Sequence, residues 1–207
     1  MGARSAVRGR LVLLTCQTIT LGLMISFLMV PASALFMSRY GATGLPYAYL
    51  AVAVAGVVVS TAIRHAQAWL SVAAVAMSVL AVYLILVAGG WLILSSDDDS
   101  WVTFPLLVLF PLSIPMGFLI VGAQAGRLLD VRQLKAHFPR VVAGFSVGFG
   151  VGSLLSAWLV PLLGGPPQLL GLSVAATLMM ILLVATTARR YSDALRSRPS
   201  RASRTRC

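Results

Sequence analysis

The sequence predicts an all-α integral membrane protein with six transmembrane helices and both termini cytoplasmic. Three observations carry that prediction. Hydrophobic residues make up 59% of the 207-residue chain and charged residues only 10%, against roughly 25% charged in a soluble domain. Mean hydropathy is +0.94. The apolar residues fall into six continuous runs, each near the roughly 20 residues a helix needs to cross a bilayer core. The remaining charge is lopsided, with 16 Lys and Arg against 5 Asp, no Glu, and a formal net charge of +11. Such a chain cannot cover its own surface in water, which excludes a soluble enzyme and a disordered chain. Its basic residues flank apolar runs and line no soluble face, which argues against a nucleic-acid partner.

The runs cover residues 11–35, 46–63, 69–94, 101–125, 141–163 and 169–188. Each is apolar throughout, whereas the strands of a membrane barrel alternate apolar and polar residues. The connections are short, so no soluble domain fits between helices. The organisation is then a basic cytoplasmic N-terminus (1–10), a six-helix transmembrane domain (11–188) and a basic disordered tail (189–207). Of the 16 basic residues, 15 fall on the side of the termini. Only Arg39 lies opposite. Because Lys and Arg collect on the cytoplasmic side, both termini are expected there, in a plasma membrane such as a bacterial inner membrane. The run Asp97-Asp98-Asp99 falls outside, with Trp91 and Trp101 beside it as interfacial anchors. Arg4, Arg8 and Arg10 ahead of an apolar run, followed by Ala32-Ser33-Ala34, also imitate a cleavable signal peptide. The run exceeds the usual 7–15 residues of such a leader, so it reads as a retained helix; sequencing the mature N-terminus separates the two.

Few residues suggest chemistry. Cys16, in the first run, reads as a small packing residue, and two Cys with two distant His build no metal site. No cofactor is expected. Gly144-Phe145-Ser146-Val147-Gly148 matches G-x-S-x-G, but a nucleophile elbow needs a strand–turn–helix setting and a following His. Gly144, Gly148 and Gly152 recur every four residues on one helix face. Small residues let membrane helices approach closely, either within the chain or at a rocking or dimer surface. Pro111 and Pro115 in the fourth run predict a helix kink, and kinked helices recur in transport pathways. Leu128, Val131, Leu134 and Phe138 form one apolar stripe, with Arg127, Asp130 and Arg132 off it. That pattern predicts a short interfacial helix ended by Pro139, with His137 solvated on it. Polar residues inside the runs are few. Gln17, Thr20 and Gln124, with Arg39 at the outer mouth, are the candidate pathway residues. Arg39 reads as an ordinary interfacial residue or as a contact for anions. No Asp, Glu or Lys lies deep in any run, where ionisable groups would mark proton or ion paths.

Two stretches together resemble a family. Residues 35–42, Leu-Phe-Met-Ser-Arg-Tyr-Gly-Ala, followed by Leu45-Pro46-Tyr47-Ala48-Tyr49, are one. Residues 130–140, Asp-Val-Arg-Gln-Leu-Lys-Ala-His-Phe-Pro-Arg, followed by Gly144 and Gly148, are the other. At these helix positions they resemble the ATP/ADP-carrier-like branch of the major facilitator superfamily, over one six-helix half of a twelve-helix transporter. The resemblance implies half of a major-facilitator-type bundle, built from three-helix repeats, with the first and fourth helices bordering a central pathway. It does not carry over nucleotide exchange, because the basic pathway residues of those carriers have no counterpart beyond Arg39.

The function expected is therefore membrane transport of an unknown small solute, by a half that pairs with its own copy or with a second six-helix half. The other reading is a non-transporting membrane module, or a remnant of a longer facilitator-like protein. An intramembrane enzyme lacks a catalytic constellation here.

Overall fold

The computed structural model describes residues 2–96 and 100–191, with side chains over 7–96 and 101–191. Asp97-Asp98-Asp99, Cys207 and most of the basic tail lie outside the described residues. Six long helices follow one another: α1 (Gly2–Tyr40), α2 (Leu45–Trp69), α3 (Val72–Ser96), α4 (Thr103–Leu128), α5 (Val131–Leu163) and α6 (Pro167–Arg190). All six are long and apolar enough to cross a membrane. The chain is a multi-pass helical membrane protein.

Local chemistry sets the reversals. Gly41 takes a left-handed φ of 61° just past α1, a conformation that costs glycine least. Pro46 occupies the first turn of α2, where a missing N–H has no helical partner to lose. Asp130 and Gln133 form a capping box that starts α5. Gly164 ends α5 in the left-handed region at φ 85°.

Two expectations need correction. The interfacial segment is no separate helix: α5 runs unbroken from Val131 through Pro139 to Leu163. The proline removes one donor and so releases one carbonyl, that of Lys135. Lys135, Ala136, Pro139 and Arg140 are all exposed there. That carbonyl therefore costs little, and continuing the helix keeps the neighbouring backbone groups satisfied. Cys16 does not pack in the interior; its side chain is exposed on α1.

The first helix occupies the middle of the bundle. α1 packs chiefly on α5, then on α6 and α4, while α3 packs on α6 and α2 leans on α4. The α1–α5 contact is a parallel crossing of backbones. A Cβ on Gly148 would overlap the Ile19 carbonyl, and one on Gly22 would overlap the Phe145 carbonyl. Further along, Gly144 faces Thr18, and a Cβ on Gly152 would sit 2.9 Å from Ser26 Oγ. Hydrogen bonds follow the same line. Thr18 Oγ1 donates to the carbonyl of Val141 at 2.6 Å, and the Ser26 and Ser153 hydroxyls meet at 3.1 Å. The face of Gly144, Gly148 and Gly152 is thus spent inside the chain. On the opposite flank, Leu21 fills the notch left by Gly117 of α4.

Two apolar clusters fill the interior, one around Leu14, Val121 and Val184 and one around Leu28, Val87 and Leu170. Of α2, only Ala48 is buried. Between α2, α3 and α4 lies an apolar groove of about 830 Å³, with Ala51, Ala55, Ala62 and Ala66 along its α2 wall.

The crossing predicts a paired result. Gly148→Leu should destabilise the bundle by about 3 kcal/mol or prevent folding, since overpacking a tight contact costs about 1–3 kcal/mol and more against backbone. Gly150→Leu, whose Cβ would meet nothing within 4 Å, should change stability by less than about 1 kcal/mol. Unfolding in detergent, followed by circular dichroism, compares the two.

Candidate functional site

A bilayer core offers a buried polar group no water, so each must find a partner within the protein. The densest such pairing joins α1, α4 and α6 near their Arg-rich ends. Gln17 of α1 is fully buried. Its Nε2 donates to Gln124 Oε1 of α4 at 3.1 Å and to Thr187 Oγ1 of α6 at 2.9 Å. The Thr187 hydroxyl donates in turn to the Leu183 carbonyl at 2.7 Å. One atom is left over: Gln17 Oε1 is buried with no hydrogen-bond partner.

Two turns earlier on α1, the same three helices meet again. Arg10 Nη1 donates to the Leu128 carbonyl at 2.8 Å, one turn beyond Gln124. Its guanidinium lies 5.3 Å over the ring of Tyr191, one turn beyond Thr187. A cation placed on the last carbonyls of α4 complements the negative end of that helix. Fully buried Leu14 separates the two polar layers on α1. The seam therefore consists of an uncharged amide–hydroxyl layer and an arginine layer.

The expected pathway residues separate along this frame. Gln17 and Gln124 touch. Thr20 is buried one turn further along α1. Arg39 is exposed in the last turn of the same helix. At a rise of 1.5 Å per residue it stands about 33 Å from Gln17, at the opposite end of the bundle. Arg10, Thr187 and Tyr191 belong to the seam; the sequence marks Arg10 only as a basic residue ahead of the first run, and the other two not at all. A threonine one turn inside a helix terminus and a tyrosine just past it carry no distinctive spacing.

Pro111 and Pro115 lie within α4. One turn apart, they deprive the carbonyls of Leu107 and Pro111 of helical donors. The same helix carries Gly122 and Gly126, around whose Cβ positions nothing lies within 4 Å. This stretch of α4 is therefore an open, backbone-rich surface. Ser146 of the G-x-S-x-G match is an exposed residue inside α5, with helix where an elbow would need a turn. Among the described residues, no group of three or more metal-ligating side chains gathers. On α3, Tyr83 and Ser173 of α6 meet at 3.4 Å, and the Ser173 hydroxyl donates to the Met24 carbonyl at 2.9 Å.

The fold and this seam define a class: a multi-pass helical membrane protein in which uncharged amide and hydroxyl groups link α1 to α4, α5 and α6. No protein-family model, curated protein or solved structure matches the chain.

The seam yields a direct measurement. In a double-mutant cycle of Gln17→Leu and Gln124→Leu, the two side chains should couple by about 0.6 kcal/mol, and by no more than about 1.7 kcal/mol, as interhelical hydrogen bonds in membranes do. Additive effects on unfolding in detergent would show that the amides do not hold α1 to α4.

Proposed function

We propose that the chain is one half of a facilitator-type transporter, carrying a small solute across a plasma membrane with both termini cytoplasmic. The supporting observation is the order of packing. Exchanging α1 with α4, α2 with α5 and α3 with α6 turns the α1–α5 contact into α4–α2, and α1–α6 into α4–α3. It turns α5–α6 into α2–α3 and returns α1–α4 and α3–α6 to themselves. Apart from a minor α4–α5 contact, the arrangement closes on itself. Because α1 and α4 run in opposite directions, this contact order is the one that inverted three-helix repeats would give, as in each half of facilitator-type transporters.

Such a half supplies one wall of a pathway. In this reading the proline- and glycine-bearing surface of α4, together with α1, is that wall, and a second copy or a second six-helix chain provides the other. The buried Gln17 layer holds the Arg-rich ends of α1, α4 and α6 together, so that the wall moves as one piece.

The test is association. With Cys16 and Cys207 replaced by Ser, cysteines placed at Gly122 or Gly126 should form disulfides between chains in the bilayer, and native mass spectrometry should find a dimer or a hetero-pair. A strictly monomeric six-helix species would overturn the proposal and leave the non-transporting module. In reconstituted vesicles, Arg39→Ala should slow uptake of an anionic solute several-fold; unchanged uptake removes Arg39 from the pathway.

A further inference from the structure

Arg10 is poorly matched by the contacts it makes. Its guanidinium has five N–H donors and a permanent charge. Its partners are the neutral Leu128 carbonyl and the face of the Tyr191 ring. Its Nε is buried with no hydrogen-bond partner. A buried donor left unpaired is costly, and more so when charged. Water could fill the donor's need but would not neutralise the charge.

Among the described residues Asp130 is the single acid, and its carboxylate is taken up in the capping box of α5. The basic residues accumulate instead. Arg8 and Arg10 lie at the start of α1, Arg127 in the last turn of α4, and Arg189 and Arg190 in the last turn of α6. These are the three helices that meet around Arg10. An anion that reaches this end of the bundle meets that accumulated positive charge.

We propose that the Arg-rich end of the α1–α4–α6 seam binds the phosphate of an anionic lipid headgroup, with Arg10 as its central ligand. A guanidinium presents its donors in parallel pairs, the geometry that grips a phosphate with two hydrogen bonds, and a small shift of the Arg10 side chain would turn such a pair toward the headgroups. Depth favours a lipid over a dissolved anion. Arg10 lies about 10 Å along α1 beyond the buried Gln17 layer, level with the ends of α4 and α6, where apolar spans give way to headgroups. Basic pockets between transmembrane helices at that level bind such headgroups. The site is independent of whether the chain moves a solute.

The test uses the full chain in nanodiscs of phosphatidylcholine containing a small fraction of phosphatidylglycerol. Native mass spectrometry of the extracted protein should show phosphatidylglycerol retained at least tenfold over its share of the bilayer. Arg10→Gln should lose most of that enrichment. Arg10→Lys, which keeps the charge but not the paired donors, should fall between. Arg64→Gln, a basic residue on α2 away from the seam, should match the unaltered protein. Equal retention of both lipids by the unaltered protein overturns the proposal, as does full enrichment in Arg10→Gln. Should Arg10→Gln fail to fold, the unaltered protein's preference and a reduced enrichment in Tyr191→Leu still decide. Millimolar inorganic phosphate separates the two sources of the anion: stabilisation equal to that given by phosphatidylglycerol would overturn the lipid and leave a soluble phosphate ligand.

Discussion

The bundle depends on one close approach, where the backbone of α1 meets the backbone of α5. In lipid, apolar side chains gain nothing by leaving the solvent for each other, so helices associate through fit and hydrogen bonds. Gly22 and Gly148 remove the side chains that would hold the two backbones apart. The Thr18–Val141 and Ser26–Ser153 hydrogen bonds lie along the line so opened. With α5 seated, α1 becomes the central helix, and its other faces are left for α4 and α6. Every polar contact of the seam presupposes that position.

The α1–α5 and α2–α4 contacts differ in closeness. Glycines draw α5 onto α1, whereas the corresponding α2–α4 contact leaves an apolar groove beside it. The difference is physical. On α2 the wall carries Ala51, Ala55, Ala62 and Ala66 among Val58, Val59 and Ile63, and their methyl groups keep backbones apart without filling the space between helices. The α1–α5 pair is the most closely packed part of the bundle, and α2 is the helix held by the fewest neighbours.

The six spans and their reversals are legible in the sequence because hydropathy belongs to each segment alone. The ends of the helices are less so. The proline at 139 reads as a stop, but in the folded chain its cost is a single exposed carbonyl, and the helix continues. Cys16 reads as packed because it lies in an apolar run. Which side of a central helix stays open depends on its neighbours, and Cys16 falls on the open side. Gln17 and Gln124 stand out as amides in apolar surroundings. Their meeting follows from the antiparallel pairing of α1 with α4, which no spacing within either segment records.

Composition alone settled that this is a multi-pass helical protein, with six spans and its positive charge gathered toward one end, because partition between water and lipid is summed residue by residue along each segment. Folding in three dimensions settled which helix is central, which faces are consumed, and that Gln17, Gln124 and Thr187 form one layer with Arg10 beneath it. Those facts rest on a few contacts between residues more than a hundred positions apart. Lipid solvates nearly every apolar face equally well, so only the close fit of particular pairs distinguishes one arrangement of six helices from another.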